Sequence, residues 1–310
     1  MGGGGYSTFD IGPFSPSIER KIAAAQEKEQ LEFISNVNDY LSTILALFNG
    51  RDREATNRKL DRLQELLGNE FEVDKILFSG SVAKHTDIDG ISDVDSLVIL
   101  DRQELKEKKP GEVLDAFYSI LDSKLPRSEI ADIKKGKLAV TVKFSDNIEI
   151  QLLPALKTKN TVAISSYDGT NWNETKPKEF QKLLSSANIK MNNALVPAIK
   201  LMKAVNDNLP LQKQLKGYHI EGIAVDSIKN YDGEKTPRAL LLHIIAHASE
   251  RILVPIKDKT GQSHMIDSYL GKADSIERKN ISQTLSGLKR RLETATTIQQ
   301  WKSVFGVDNE

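Results

Sequence analysis

The chain contains no cysteine among its 310 residues. This absence excludes disulfide bonds, zinc–thiolate sites and cysteine nucleophiles, and it fits a compartment in which thiols stay reduced. No apolar run approaches the roughly 20 residues that a membrane-spanning helix needs. The first residues also lack the basic-then-apolar pattern of a signal peptide. We therefore expect a cytoplasmic protein with no membrane partner.

The chain also lacks an excess of charge of either sign, because 43 Lys and Arg residues balance 43 Asp and Glu residues. No global electrostatic field favours binding to nucleic acid or to an anionic membrane, and no strong nucleic-acid surface is apparent. Any site for an anion must therefore be local. The length suffices for one large domain or two modest ones with a substantial core.

Hydrophobic periodicity divides the chain into three parts. Residues 1–16 are rich in Gly, Pro and Ser and are expected to form a flexible arm. Residues 17–160 are expected to form a core lobe, in which a long helix over about 18–49 precedes short strands. Residues 161–310 show mostly helical patterns, including one long helix over 177–206. This order predicts an α+β, bilobed protein: a small mixed β-sheet lobe, a helical bundle and a ligand cleft between them.

Residues 78–100, FSGSVAKHTDIDGISDVDSLVIL, carry two Asp-x-Asp pairs. Asp87 and Asp89 are interpreted as a solvated part of a connecting loop. Asp93 and Asp95 instead begin an apolar run, and residues two apart on a strand point to the same side. Two carboxylates that face one point at the entrance to a core are costly without a cation. The sequence therefore predicts that Asp93 and Asp95 are catalytic metal ligands.

Gly80 and Ser81 precede this pair by eleven residues, at the end of another predicted strand. A glycine lets the backbone approach a phosphate, and Ser81 adds a hydroxyl and an N–H donor. The stretch is not a P-loop or an EF-hand, because the required Gly and Glu positions are absent. Paired carboxylates beside a phosphate-binding turn indicate metal-assisted phosphoryl or nucleotidyl transfer with two Mg²⁺ ions, or Mn²⁺ in their place.

The arrangement Gly-Ser, eleven residues, Asp-x-Asp at a strand start resembles the nucleotidyltransferases of the DNA polymerase β superfamily. Within that superfamily the chain resembles the branch of oligoadenylate synthases, cyclic GMP-AMP synthase and the bacterial CD-NTases. The further segments that carry the resemblance are IEIQLLPAL (148–156), YDGTNWNETKPKEF (167–180), IKLMK (199–203), GYHIE (217–221) and WKSVFG (301–306).

The resemblance implies a polymerase β-like fold and template-independent nucleotidyl transfer from NTPs or dNTPs. It also implies an oligonucleotide signal, cyclic or short and linear, that a separate effector protein senses in antiviral defence. Gly80, Ser81 and Lys203 would then contact the nucleotide's phosphates. Tyr218 would stack on a base, with a packed core tyrosine as the alternative. Lys84 is expected to be an ordinary surface lysine.

The chain departs from the family pattern at Gln151, where the resemblance places a third metal-binding carboxylate. A neutral amide is a poor substitute for an anionic ligand on a hard cation, so Gln151 is retained only as a substrate-binding candidate. Glu149 lies two residues earlier on the same strand face and is the candidate third catalytic and metal-binding carboxylate. Two alternatives stay open: Asp93 and Asp95 suffice with substrate phosphates and water, or the chain is an inactive nucleotide-binding sensor.

The glycine-rich arm carries three hydroxyl side chains, Tyr6, Ser7 and Thr8. An enzyme without a nucleic-acid primer needs a hydroxyl to attack the first α-phosphate, and these residues are candidate primers; a disordered tail is the alternative. Resemblance to Hailong-type defence nucleotidyltransferases would make the product a linear oligodeoxyadenylate. A toxin-like enzyme that adds nucleotides to tRNA or protein is a further alternative.

Overall fold

The structure of the protein is a computed structural model that describes residues 16–89, 91–101, 105, 108–159, 161–166, 168–258 and 266–306. The described helices are α1 (Pro16–Phe48), α2 (Arg53–Gly68), α3 (Gly80–Ala83), α4 (Pro110–Lys124), α5 (Pro177–Lys190), α6 (Leu195–Asp207), α7 (Gly217–Ser227), α8 (Pro237–Arg251), α9 (Ile276–Glu293) and α10 (Ile298–Lys302). The described strands are β1 (Val73–Phe78), β2 (Val94–Leu100), β3 (Ile130–Lys135), β4 (Val140–Phe144), β5 (Glu149–Lys157), β6 (Val162–Ser165) and β7 (Trp172–Thr175). The predicted α+β class is confirmed.

The seven strands form one mixed sheet in the order β1-β2-β5-β4-β3, and β6 and β7 extend it from β5. Strands β2 and β5 run parallel, and the other pairs are antiparallel. Strand β5 pairs with β4 as far as Leu152 and with β6 from Ala155. Pro154, which has no N–H to donate, therefore lies in the gap between these two ladders, where it disturbs neither.

The two faces of the sheet have different roles. One face carries Val94, Val98 and Ile150, which are buried against α2 and α4 in a cluster of apolar side chains. The opposite face carries Asp93, Asp95 and a small apolar patch centred on Leu97, Ile99 and Ala155. The first face supplies the core, so the second is available for a site.

The helices from α5 onward share a second apolar cluster, in which Trp301 is fully buried. Only the second half of α1 belongs to this cluster, through Val37, Leu41 and Ile44. Residues 16–32 of α1 are exposed. The predicted lobe boundaries near residues 16 and 160 stay predictions.

The single helix predicted over 177–206 is wrong. Helix α5 ends at Lys190, and α6 begins at Leu195. Between them Asn192 and Asn193 adopt φ angles of 53° and 64°. Asparagine reaches this left-handed region more readily than most residues, so the helical period continues through a break in the helix. The mostly helical pattern expected after residue 161 likewise begins with two strands, β6 and β7.

A buried ionic network joins α7 to α9. The Arg278 guanidinium donates to Asp267 Oδ2 over 2.7 Å and to the Ile252 carbonyl over 2.8 Å, and both charged side chains are fully buried. His219 Nε2 lies 3.7 Å from Asp267 Oδ2, and His219 Nδ1 lies 3.1 Å from the Tyr269 hydroxyl. Burial lowers the pKa of His219 to about 4, with Arg278 adding to the effect and Asp267 opposing it.

The pKa of His219 predicts a loss of stability in acid. The unfolded chain binds a proton at this side chain near pH 6.5, whereas the folded chain does so only near pH 4. The contribution of neutral His219 to the free energy of unfolding is therefore present above pH 6.5. It is lost as the pH falls toward 4, by up to about 3 kcal/mol. Urea unfolding across this range should show a shallower pH dependence for His219→Gln than for wild type.

The exposed His85 offers a matched control, because its φ of 59° suits asparagine. His85→Asn should keep the wild-type pH dependence of unfolding. An identical slope for His219→Gln and wild type would show that His219 does not resist protonation.

Candidate active site

Asp93 and Asp95 lie at the start of β2, on the sheet face that is not covered by α2 and α4. Asp95 is paired with Gln151 in the parallel β2–β5 ladder, so both strands deliver polar side chains to the same point. Burial raises the pKa of both aspartates, and the charge of Asp95 raises that of Asp93 further. Both carboxylates are therefore costly to ionise where they lie, chiefly because they are buried.

The Gly80–Ser81 turn is built around Asp95. Gly80 has a φ of +53°, and a Cβ atom placed on it would lie 1.7 Å from Asp95 Oδ2. The Ser81 backbone N–H donates to the Asp95 carboxylate, and Ser79 N donates to the Asp95 carbonyl over 2.8 Å. Glycine is thus required at position 80 both by the backbone conformation and by the space that the carboxylate occupies.

Gln151 and Glu149 both contact Asp93. Gln151 Nε2 donates to Asp93 Oδ2 over 2.5 Å, and the Glu149 carboxyl group lies within hydrogen-bonding reach of the same aspartate. Burial raises the pKa of Glu149, and the nearby Asp93 charge adds to this. Glu149 therefore reaches the aspartate pair from its own strand face. In the described part of the chain, no three or more His, Asp and Glu side chains are gathered as a metal-binding group.

The donor set fits a hard divalent cation. Mg²⁺ is usually held by one or two carboxylates, with substrate phosphates and waters as the other ligands. Asp93 and Asp95 supply two carboxylates on one face, and the cradle at Gly80 keeps Asp95 in place. A bound cation would also offset the cost of burying the two carboxylates, which is the main reason that both pKa values are raised.

A buried ion network lies next to the aspartate pair. Lys203 Nζ donates to Glu221 Oε1 over 2.8 Å and to the Thr86 carbonyl over 3.0 Å. Lys84 Nζ lies 2.8 Å from Glu221 Oε2, and the Thr86 hydroxyl donates to the same carboxylate. Burial raises the pKa of Glu221, but Lys203 and Lys84 outweigh it and hold that pKa below its usual range. The network fastens the loop after α3 to helices α6 and α7.

The position of Lys84 differs from the expectation of a surface lysine. Its side chain is only 9% exposed, because it lies between Glu221 and two aromatic rings. Lys84 Nζ is 5.3 Å from the centre of the Phe180 ring and 5.2 Å from that of Tyr218. Its charge also lowers the pKa of Asp95. The buried carboxylate of Glu221 is what draws this lysine inward.

Tyr218 stands at a cleft of about 1420 Å³ that Gly80, Lys84, Leu97 and Ile99 also line. Its hydroxyl donates to Asp258 Oδ1 over 2.6 Å, and its ring meets Phe180 edge-on at 5.1 Å. Leu97 and Ile99 follow Asp95 on the same face of β2, so the cleft runs along the sheet face that carries the aspartate pair.

Several predicted site residues thus come together, and others do not. One group lies where β2 and β5 begin, with Gly80 and Ser81 against it: Asp93, Asp95, Glu149 and Gln151. Lys203 is buried in the network with Glu221. Tyr6, Ser7 and Thr8 lie outside the described residues. The chemical roles of all these predicted site residues stay predictions.

Sequence reasoning missed Glu221, Thr86 and the inward position of Lys84. One signal was available: Lys203 lies in a helix of mostly apolar residues, and a buried lysine requires a carboxylate partner. Asp87 was also misjudged, because it is 5% exposed and lies 3.7 Å from Arg51 Nε. An aspartate in a loop need not be solvated.

The sequence and the fold of the chain resemble those of known proteins. Residues 35–188 match the family described as Second Messenger Oligonucleotide or Dinucleotide Synthetase domain, SMODS. Among curated proteins, none matches the chain's sequence significantly.

Solved structures of low sequence identity share the fold. Escherichia coli MS115-1 CdnC in complex with HORMA has a TM-score of 0.62 at 16% identity, over 82% of this chain and 91% of that one. Bradyrhizobium diazoefficiens CdnG with GTP has a TM-score of 0.67 at 12% identity, over 87% and 96%. Vibrio cholerae DncV, a cyclic AMP-GMP synthase, has a TM-score of 0.60 at 13% identity, over 96% and 93%.

Together the fold and the domain define a polymerase β-like nucleotidyltransferase of the CD-NTase type. Residues 35–188 have the sequence of a SMODS domain, and the structural similarity to CD-NTases extends over most of the chain. Within the described residues, no helix is both long enough and apolar enough to span a membrane.

Proposed function

We propose that the protein joins nucleotides, taken from NTPs or dNTPs, into a cyclic or short linear oligonucleotide without a template. The observation that carries this proposal is the Asp93–Asp95 pair, in which Asp95 lies against Gly80, a residue that lines a large cleft. An acceptor hydroxyl attacks the donor's α-phosphorus, a new P–O bond forms, and pyrophosphate leaves. By its family resemblance the product would act as a signal in antiviral defence, read by a separate effector protein.

The aspartates would hold Mg²⁺, and the ion would supply charge stabilisation for the phosphates and activation of the acceptor hydroxyl. Gln151 holds Asp93 in place by its amide hydrogen bond. Ser81 does the same for Asp95 through its backbone N–H. Positioning and electrostatic complementarity carry most of the rate in reactions of this type.

Other residues near the aspartate pair have supporting roles in this proposal. Glu149 takes the proton from the acceptor hydroxyl, because it is the remaining carboxylate that reaches Asp93. Tyr218 offers its ring to a base in the cleft. Lys203 and Lys84 contribute positive potential from behind the aspartates, and Lys84 does so while paired with Glu221.

The test of the proposal is the identity of the product. The protein is incubated with each labelled NTP and dNTP in Mg²⁺, and the small-molecule fraction is separated and weighed by mass spectrometry. A cyclic or linear oligonucleotide is the expected result. The intact protein is weighed in parallel, because an adduct on Tyr6, Ser7 or Thr8 would show priming by the N-terminal arm. Label that appears only on added tRNA or on other proteins would overturn the proposal in favour of the toxin-like alternative.

Glu149→Gln separates deprotonation from binding. If Glu149 accepts the proton of the attacking hydroxyl, kcat should fall about 100-fold, whereas nucleotide affinity should change little. The comparison is Glu129→Gln, which changes an exposed glutamate paired with Arg62 and should leave kcat unaltered. Equal kcat for Glu149→Gln and wild type would favour the alternative in which Asp93 and Asp95 suffice.

A further inference from the structure

The cleft has a charge that the whole chain lacks. Nine lysine and arginine residues line it among the described residues, against four aspartates and glutamates, although the whole chain is balanced. Six of the basic residues lie on β1, at or just after the end of β5, and in α5 or just before it: Lys75, Lys157, Lys159, Lys176, Lys178 and Lys182. The positive charge is therefore concentrated in the cleft beyond the candidate active site.

Part of this charge is not neutralised by the protein itself. Lys157 pairs with Asp74 over 3.2 Å, and Lys176 pairs with Glu179 over 3.4 Å. The other four, Lys75, Lys159, Lys178 and Lys182, are exposed, and no ion pair connects any of them to an acid in the described part of the chain. Exposed cations grouped on the walls of a cleft attract a polyanion.

The strand register gives the length of the charged cleft. Asp95 pairs with Gln151, and Lys157 lies six residues further along β5 on the same face. At about 3.3 Å per residue, this is roughly 20 Å from the aspartate pair. The triphosphate tail of one bound nucleotide is shorter than this distance. The lysines at the far end therefore exceed what a single donor nucleotide can use.

The floor between these two ends is apolar. Leu77, Leu97, Ile99 and Val162 line the cleft, and the register places them on the same sheet face as Lys157. Grooves for single-stranded nucleic acid combine cations that follow the phosphates with aromatic side chains on which the bases stack. The cleft has both components, because its lining also includes Phe78, Phe180 and Tyr218.

We propose that this cleft binds the growing oligonucleotide as a single strand. Its phosphodiester backbone follows Lys159, Lys178 and Lys182, and its reactive hydroxyl end lies at Asp93 and Asp95. The inference rests on the proposed function and deepens it, because such a cleft suits a linear product of several nucleotides that remains bound between additions. Each added nucleotide brings one more phosphate to the lysines.

Binding to single strands of different length tests the inference. Fluorescence anisotropy is measured with labelled oligodeoxyadenylates from a dinucleotide to roughly eight nucleotides, in EDTA and without NTP, so that no reaction occurs. Three proteins are compared: wild type, a cleft variant and a control variant. The cleft variant is Lys159→Gln/Lys178→Gln/Lys182→Gln. The control variant, which removes three exposed lysines outside the cleft lining, is Lys190→Gln/Lys272→Gln/Lys279→Gln.

Wild type and the control variant should bind more tightly as the oligonucleotide lengthens. For the cleft variant, affinity for the longest strand should fall at least about tenfold, and the slope of log K against log salt should fall by about 2. Affinity that does not rise with length, or equal losses in both variants, would overturn the inference.

A further set of binding measurements, made with mononucleotides, identifies what the lysines bind. Affinity for dATP and ATP should be the same in wild type and in the cleft variant. An equal loss of triphosphate and oligonucleotide affinity would assign these lysines to the donor nucleotide instead. Because no turnover is involved, these results are independent of pyrophosphate release, the measure of the proposed function itself.

Discussion

Gly80→Ala is expected to lower the rate of nucleotidyl transfer at least about 100-fold while leaving the protein folded. The added methyl group would lie 1.7 Å from Asp95 Oδ2, so either the carboxylate or the turn must move. The φ of +53° adds strain for any residue with a side chain. Pyrophosphate release at saturating nucleotide, together with circular dichroism of the same sample, measures both parts of this expectation.

Gly68→Ala is the matched control. Gly68 lies at the end of α2, where an added methyl group would have no atom within 4 Å and where the backbone has no left-handed φ. An alanine there should leave activity unchanged and raise stability slightly. If Gly80→Ala were as active as Gly68→Ala, Asp95 would not need its observed position, and the assignment of the site would be wrong.

Glu221→Gln is expected to destabilise the protein by about 3–5 kcal/mol. The substitution keeps the shape of the side chain but leaves Lys203 and Lys84 buried without their shared carboxylate. Because the same network connects the loop after α3 to α6 and α7, nucleotide binding should weaken as well. Urea unfolding monitored by tryptophan fluorescence gives the stability.

Two comparisons isolate the buried charge as the cause. Glu250→Gln, at an exposed position of α8, should change stability by less than about 0.5 kcal/mol. Adding Lys203→Met to Glu221→Gln should recover part of the loss, because it removes one uncompensated charge. A loss below about 1 kcal/mol for Glu221→Gln would mean that the network contributes little to the fold.

The parts of the fold that follow from the sequence are those that depend on short-range pattern. The apolar run after Asp95 predicts strand β2, and alternation along it places Asp93 and Asp95 on one side. The caps of α2 and α8 are equally local, because Asp52 and Thr236 each accept a backbone hydrogen bond from the first turn. No long-range information is needed for any of these elements.

Other features depend on contacts between distant segments and could not be predicted. The inward position of Lys84 is set by Glu221, which is far away in the sequence. Pro154 is tolerated inside the sheet only because β4 ends and β6 begins beside it. The break between α5 and α6 depends on two asparagines that could also continue a helix.

The basic cleft shows why a balanced composition is a poor guide to binding. The net charge of the chain is zero, and the sequence alone gives no preference for an anionic partner. The fold brings lysines from β1, β5 and α5 to one cleft, where basic residues outnumber acidic ones by nine to four among the described residues. Local charge density, rather than net charge, decides what such a cleft attracts.

The proposed metal-dependent nucleotidyl transfer at Asp93 and Asp95 is the function on which the other proposals depend. It is tested by pyrophosphate release from every NTP and dNTP, singly and mixed, by wild type and by Asp93→Asn/Asp95→Asn, with Mg²⁺ titrated in each case. We expect Mg²⁺-dependent pyrophosphate release by wild type and a loss of at least about a thousandfold in the variant, with its fold intact. Wild type that binds nucleotide but releases no pyrophosphate, or a variant as active as wild type, would show that these aspartates do not carry out this reaction.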